Sequence, residues 1–170
     1  NNGDGTFTDV ATETNLAHPW LPMGASFGDI DHGGFLDIYL GTGQTDYQSL
    51  MPNVLLRNDA GKRFVNVTTS SGMGHLQKGH GIAFGDFDHD GDQDIYHQVG
   101  GFYPGDAFRN VCFQNPGNEN HFAYIQLRGE QTNRDGLGAR IRLIVEAPDD
   151  RRWEIHRAVG SVSSFGGSPS

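Results

Sequence analysis

Short runs of alternating apolar and polar residues recur along the chain, separated by glycine-rich turns. FTDVA (7–11) and FVNVT (64–68) show this period of two, which is typical of half-buried β-strands. Further β-type runs follow each of them, and an acidic stretch interrupts each set. These runs are SFGDI (26–30), LDIYL (36–40), NVLLRN (53–58), AFGDF (83–87), QDIYH (93–97) and NVCFQN (110–115). The pattern predicts an all-β protein.

The runs belong to an internal repeat. GASFGDIDHGGFLDIYL begins at Gly24 and GIAFGDFDHDGDQDIYH at Gly81, and a gapless comparison of residues 1–57 with 58–114 gives 18 identities. Three to four strands in a unit of this size are typical of one β-propeller blade. We therefore expect two blades of an incomplete propeller, residues 1–57 and 58–117. Further repeats or other chains must cover their open edges.

The repeat pattern stops after Asn115. NPGNEN (115–120) is rich in turn-forming residues and marks a boundary. Residues 118–170 then predict a small β-rich domain that ends in a Gly/Ser-rich tail. Its expected strands are HFAYIQLRG (121–129), ARIRLIVEA (139–147) and RRWEIHRAVG (151–160), with a polar turn in QTNRDGLG (131–138).

Composition narrows the class of protein. The 25 glycines suit turns and short strands better than long helices. A net charge of −9 argues against nucleic acid as a partner and suits the binding of cations. No run of about 18 apolar residues exists, so we expect no membrane span. Because Asn1 begins inside a repeat, we expect a fragment, or a mature product whose leader has been removed.

The single cysteine, Cys112, cannot form an internal disulfide. An exposed reactive thiol and a small apolar core residue are the two interpretations. Its counterpart in the first repeat is Leu55, which favours the core position.

The stretch DFDHDGDQD (86–94) carries the clearest chemistry. Alternate positions of a tight loop can point inward, and Gly91 permits the left-handed turn that wraps an ion. Carboxylates and one backbone carbonyl form the hard oxygen cage that calcium prefers. The expected side-chain ligands are Asp86, Asp88, Asp90 and Asp94, with the carbonyl of Asp92 as the main-chain ligand. The alternative is a solvated acidic turn.

An EF-hand would need a glutamate at position 12 and a following helix. Position 12 is His97, and the residues after Asp94 predict a strand. The equivalent loop of the first repeat, DIDHGGFLD, keeps Asp29, Asp31 and Asp37 but has Gly33 in place of the third acid. Three carboxylates with water could hold calcium more weakly; the alternative is a vestigial turn of the same shape.

These motifs resemble a known family. AFGDFDHDGDQDIY is similar to the FG-GAP or VCBS repeat of integrin α-subunit propellers and many bacterial surface proteins. NVLLRNDAGKRFVNVT resembles the outer part of that repeat in the cartilage acidic protein group. HFAYIQLRGEQTNRDGLGARIRLIV resembles the ASPIC/UnbV domain that follows the repeats in that group, through Leu127–Gly129, Asn133–Gly136 and Gly138–Arg140, with VGSVSS (159–164) after them.

The resemblance implies a calcium-binding, propeller-type protein with an extracellular or cell-surface location and no catalytic residue. The family has further repeats upstream and a final aromatic-glycine motif that this sequence lacks, so the resemblance also implies truncation. By resemblance, the calcium ligands are Asp86, Asp88, Asp90, Asp92 and Asp94, and provisionally Asp29, Asp31 and Asp37.

The function that we expect is a structural or adhesion module, not an enzyme, that binds calcium and a protein partner. Open blade edges also favour self-association or a filament, because an unpaired strand edge templates pairing. The alternative is a carbohydrate-binding or accessory domain of a larger secreted enzyme, which an exposed aromatic cluster beside the calcium loop would favour. A histidine metal centre, built from His75, His80, His89 or His97, is a further alternative.

Overall fold

The computed structural model of the protein describes residues 1–44, 46, 49–101, 103–147 and 150–160. Over these ranges the chain forms nine strands in three antiparallel sheets, without an α-helix. The predicted all-β fold is therefore confirmed. The strands are β1 (Pro22–Gly28), β2 (Asp37–Thr42), β3 (Val54–Asp59), β4 (Arg63–Asn66), β5 (Gly79–Gly85), β6 (Asp94–Val99), β7 (Val111–Phe113), β8 (Arg140–Glu146) and β9 (Arg152–Ala158).

The strands follow one another in simple up-and-down order. The first sheet has the order β1-β2-β3-β4, the second β5-β6-β7, and the third is the hairpin β8-β9. Local sequence explains the tight turn between β3 and β4, where Ala60 (φ 52°) and Gly61 (φ 74°) both adopt the left-handed conformation. Two such residues in succession make the type I′ turn that matches strand twist. The first two sheets thus have the form of propeller blades.

The second strand, β2, lies at the centre of the core and is buried along its whole length. Its side chains alternate between two apolar clusters because successive strand residues face opposite ways. Tyr39 packs with Leu55 and Ile82 on one side, while Ile38 and Leu40 pack with Val54 on the other. Each fully buried aliphatic side chain contributes about 1.5–3 kcal/mol to folding.

The two blade-like sheets touch where β2 approaches β5. A methyl group on Gly41 would lie 2.8 Å from the backbone of Gly79. A methyl group on Gly79 would lie 2.3 Å from both Asn53 Oδ1 and His97 Nε2. Only glycine permits this approach, and it places the loops that follow β1 and β5 side by side.

Two predicted strands are absent from the described part of the chain. FTDVA (7–11) has no regular structure, and Phe7 is 79% exposed. Its counterpart in the second repeat forms β4 by pairing with β3, and residues 7–11 have no such neighbour. HFAYIQLRG (121–129) is also irregular, because it crosses the acidic loops and does not pair with a strand.

Cys112 is exposed, so the prediction of a core position was wrong. Its counterpart Leu55 lies in β3, which is flanked by β2 and β4. Cys112 lies in β7, the last strand of its sheet among the described residues, and no fourth strand covers it.

The four-stranded sheet crosses from the first sequence repeat into the second. β3 spans positions 57 and 58, and β4 lies wholly beyond them. The blade is therefore offset from the sequence repeat. The part of VGSVSS from position 161 onward, and the Gly/Ser-rich tail, lie outside the described residues. In the described ranges, no helix is long and apolar enough to cross a membrane.

Candidate metal centre

Each acidic loop connects the first two strands of its sheet. The first acidic loop (residues 29–37) joins β1 to β2, and the second acidic loop (residues 86–94) joins β5 to β6. In both, the first aspartate follows directly after a strand and the last begins the next strand. Because Asp94 starts a strand and not a helix, an EF-hand is excluded as predicted.

Two hydrogen bonds from the backbone to carboxylates close each loop, and they recur at equivalent positions of the two repeats. In the second acidic loop, Asp86 Oδ2 accepts the N–H of Gly91 at 3.1 Å, and Asp94 Oδ2 accepts that of Phe87 at 3.0 Å. The equivalent bonds in the first acidic loop run from Gly34 to Asp29 at 3.0 Å and from Ile30 to Asp37 at 2.9 Å.

The same backbone conformations also recur. His32 (φ 53°) and His89 (φ 64°) are left-handed, and so are Gly34 (φ 86°) and Gly91 (φ 98°). The left-handed turn predicted for Gly91 is confirmed. A non-glycine residue at φ above zero is uncommon, so two histidines at equivalent positions indicate one loop shape used twice.

The last aspartate of each loop also ties the loop to the strand beyond it. Asp37 Oδ1 accepts the N–H of Asn58 at 2.7 Å, and Asp94 Oδ1 accepts that of Asn115 at 2.8 Å. Both aspartates are buried. Each therefore holds its loop, its own strand and the end of the next strand together.

Six of the eight predicted ligands form two carboxylate groups. In each group one oxygen per residue lies within 4.8 Å of the others, and the groups contain aspartates alone. The groups are Asp29, Asp31 and Asp37, and Asp86, Asp88 and Asp94. The side chains of the other two make different contacts: Asp90 Oδ1 accepts the N–H of Asp92 at 2.9 Å, and Asp92 Oδ1 lies 3.3 Å from His32 Nδ1. The ligand predicted at Asp92 is its backbone carbonyl, and that stays a prediction. The Asp92–His32 contact has an ion-pair distance without hydrogen-bond geometry.

In the first group, burial disfavours the charged forms of two carboxylates. Burial, with repulsion from Asp31 and Asp29, raises the pKa of Asp37 to about 6, although backbone N–H donors oppose the shift. Burial also raises the pKa of Asp29, against the attraction of Arg157. Asp29 Oδ1 is buried and has no hydrogen-bond partner among the described residues. A buried carboxylate oxygen without a donor is where a cation would be favourable.

The second group is more open, and neutral side chains contact it. The Tyr124 hydroxyl donates to Asp86 Oδ2, and the Gln114 amide donates to Asp88 Oδ2. The Tyr124 hydroxyl is the main cause of a lowered pKa at Asp86, and the same bond raises the pKa of Tyr124.

Both groups suit calcium by the chemistry of their donors. Calcium takes six to eight oxygen ligands in flexible geometry, and clustered carboxylates with nearby carbonyls and water supply them. Two like charges about 4 Å apart repel by about 1 kcal/mol in water and about 4 kcal/mol near a protein surface. A divalent ion would relieve this repulsion in each group.

Residues distant in sequence complete the surroundings of the loops. Arg157 of β9 donates to Asp29 Oδ2 at 2.8 Å, and Asn120 Nδ2 donates to the carbonyl of Asp31 at 2.7 Å. Sequence spacing gave no signal for Arg157 or Tyr124, because their contacts span 128 and 38 positions. Only the folded chain brings them to the loops.

An aromatic pair lies beside the second acidic loop. The rings of Phe122 and Tyr124 are 5.3 Å apart, and Phe122 lies 5.7 Å from the His32 ring. Tyr124 is 71% exposed. The pair lines a cavity of about 1080 Å³ between the blades and the hairpin β8-β9.

Blade-like sheets with repeated acidic loops define a β-propeller-type repeat protein. Residues 34–97 match the family described as FG-GAP-like repeat. The matched stretch runs from the first acidic loop through β2 to β5 and the second acidic loop into β6. The predicted FG-GAP resemblance is therefore confirmed for these residues. No curated protein matches the chain.

Proposed function

We propose that this chain is a calcium-binding structural and adhesion module of an extracellular or cell-surface protein. One observation carries the proposal: two groups of three carboxylates recur at equivalent positions of the two repeats, within the same backbone hydrogen bonds. FG-GAP-like repeats, matched at residues 34–97, suggest a role in protein interaction and are typical of extracellular proteins.

In the second acidic loop, Asp86, Asp88 and Asp94 would hold the ion, with the predicted carbonyl of Asp92. Calcium would supply charge neutralisation and a fixed coordination geometry. The chain's own contribution is mechanical. Because Asp94 bonds both its own loop and Asn115 beyond β7, fixing its carboxylate would fix that end of the blade. A rigid loop presents a constant surface to a protein partner or to another copy.

An extracellular setting would let even weak calcium sites fill. Extracellular calcium modules bind at about 10⁻⁴–10⁻³ M and remain filled. An acidic chain suits this role and makes nucleic acid an unfavourable partner.

Residues 118–170 are proposed to form an ASPIC/UnbV-like domain, of which the hairpin β8-β9 is the described β-structure. The support is the order of the motifs Leu127–Gly129, Asn133–Gly136 and Gly138–Arg140 after the repeats. In the fold, Gly136 and Gly138 (φ 67° and 87°) form turns that only glycine adopts readily.

Calorimetric calcium titration tests the proposal. We expect Asp86→Asn with Asp88→Asn to weaken binding at least tenfold, about 1.4 kcal/mol, because two of three charged ligands become neutral at nearly constant shape. The matched control is Asp135→Asn, an exposed acid that belongs to neither group. Asp90→Asn reports whether Asp90 turns inward when calcium binds. Absence of binding heat for the unmodified chain in millimolar calcium would overturn the proposal.

A second candidate is a carbohydrate-binding or accessory domain of a larger secreted enzyme. The exposed pair Phe122 and Tyr124, next to Asp86, favours it, because aromatic faces stack on sugar rings beside calcium loops. Titration with a glycan panel distinguishes the two. Binding that needs both calcium and Tyr124 supports the carbohydrate function, and self-association without glycan binding supports assembly.

A further inference from the structure

The first acidic loop is contacted by a cation of the chain itself. Arg157 Nη2 lies 2.8 Å from Asp29 Oδ2, and the two side chains are only 31% and 14% exposed. Arg157 is held in place by β9, where it pairs with Ile141 of β8. The same hairpin lies against the loop at Gly34, where an added methyl group would meet Ile155 at 3.1 Å and Trp153 at 3.2 Å.

The second acidic loop differs in this respect. Its carboxylates Asp86 and Asp88 receive donors from neutral groups, the Tyr124 hydroxyl and the Gln114 amide. The two loops share one backbone shape but have different electrostatic environments.

We infer that Arg157 and calcium compete for the first acidic loop, so that docking of the hairpin β8-β9 and cation binding oppose one another there. The inference rests on the proposed function. Both cations neutralise Asp29, and two positive charges bound to one carboxylate repel each other. Asp29 Oδ1 is buried and has no hydrogen-bond partner among the described residues, so this carboxylate still has one oxygen to offer a metal ion. Calcium would then fill the second acidic loop first.

Binding linkage makes this competition reciprocal. If Arg157 lowers the calcium affinity of the first acidic loop by some factor, calcium must weaken the docking of Arg157 by the same factor. Calcium would therefore loosen the hairpin β8-β9 while it stabilises the blades.

The first experiment compares calcium and terbium titrations of the full chain and Arg157→Gln. Terbium is a calcium surrogate that emits when a nearby indole is excited, and Trp153 lies against the first acidic loop. We expect Arg157→Gln to raise the affinity reported by tryptophan-sensitised emission at least tenfold. Arg157→Lys keeps the charge and should resemble the unmodified chain. Adding Asp31→Asn to Arg157→Gln should abolish the gain.

The matched control is Arg152→Gln, on the same strand but paired with Glu146 at 3.9 Å in an exposed position. It should leave both titrations unchanged. Unaltered binding in Arg157→Gln would overturn the inference and leave the proposed function intact, because Asp86→Asn with Asp88→Asn tests that function separately through weaker calcium binding at the second acidic loop. Absence of binding in every variant would overturn both.

The second experiment measures amide hydrogen exchange of β8 and β9. In the unmodified chain, millimolar calcium should speed exchange at least tenfold, and in Arg157→Gln exchange should be fast with or without calcium. Slower exchange of the hairpin in calcium would contradict the competition, since it would mean that the two cations bind together.

Discussion

At the scale of single residues, His97 shows how one difference between the repeats places a titratable side chain in the core. Its counterpart in the first blade is Leu40. His97 is fully buried, its ring meets Tyr39 edge-on at 5.2 Å, and its Nε2 has no hydrogen-bond partner in the described chain. Burial, with smaller contributions from His75 and His80, lowers the pKa of His97 to about 4.

The lowered pKa predicts a loss of stability in acid. Below pH 6.5 the unfolded chain binds a proton at position 97, but the folded chain does so only near pH 4. The folded state therefore loses up to about 3 kcal/mol between these values. His97→Leu, which places the residue of the first blade there, should remove this part of the pH dependence. Urea unfolding at pH 7 and pH 4.5 measures it.

Other groups titrate in the same pH range. The contribution of His97 is therefore the difference in pH dependence between the unmodified chain and His97→Leu. Asp37 acts in the opposite direction, since its raised pKa favours the folded state as pH falls from about 6. His121→Gln, an exposed histidine, serves as the control. Equal pH slopes for His97→Leu and the unmodified chain would contradict the prediction.

The carboxylate groups were predictable from sequence because their geometry is local. Asp86, Asp88 and Asp94 are neighbours in one tight loop, and alternate spacing already implies that their oxygens converge. The contacts of Tyr124 and Arg157 were not predictable, since they depend on how a later segment folds over the loops. The direction of each side chain within the loop could not be predicted from spacing either. Asp90 Oδ1 accepts a hydrogen bond from the backbone N–H of Asp92, as short acidic side chains do in turns.

At the scale of elements, strands with partners in the same repeat were predicted well. β2 and β6 each lie between two neighbours in their sheets, and most of their residues are buried. FTDVA (7–11) has the alternation of a half-buried strand but no neighbouring strand, and it stays irregular. An alternating sequence favours a β-strand, but the strand forms only where a neighbouring strand is available for hydrogen bonding.

A buried ion pair joins the start of the second sheet to the loop between β6 and β7. Lys78 Nζ lies 3.1 Å from Asp106 Oδ2, with side chains 1% and 0% exposed. Gly100 N–H donates to the Lys78 carbonyl at 2.9 Å, and Gly101 N–H donates to that of Asp106 at 2.8 Å. The pair and the two backbone bonds fix the path of this loop.

Breaking the pair on one side should be costly. Lys78→Met removes the ammonium group that lies against the buried Asp106 carboxylate, and we expect a loss of about 3–5 kcal/mol in the free energy of unfolding. The first repeat has Leu21 and Ser49 at these positions, so Lys78→Leu with Asp106→Ser should recover part of the loss. Denaturant unfolding measures both variants. A double variant less stable than Lys78→Met would refute this account.

At the scale of the whole molecule, the acidic loops also join the two blades. Asp29 N–H donates to Gln93 Oε1 at 2.7 Å, and Asn115 Nδ2 donates to the carbonyl of Ile30 at 2.8 Å. The candidate metal groups therefore lie at the contact between the sheets, and a direct hydrogen bond joins the two acidic loops.

Gln93→Leu should weaken this contact, because it removes the acceptor of a partly buried N–H group. We expect a loss of about 1–3 kcal/mol. Leu36 occupies the equivalent place in the first repeat, so the loop itself tolerates leucine. Gln98→Leu, an exposed position on β6, is the control. Thermal unfolding of both variants tests the prediction, and equal midpoints would argue against the contact.

The bounds of the first sheet decide how this chain can be divided for experiments. A piece that stops at Arg57 ends inside β3, just before Asn58, and leaves out β4. Residues 22–66 contain all four strands of that sheet. Shortened proteins should therefore be cut at the ends of the sheet, because a cut after one 57-residue period divides a strand between two molecules.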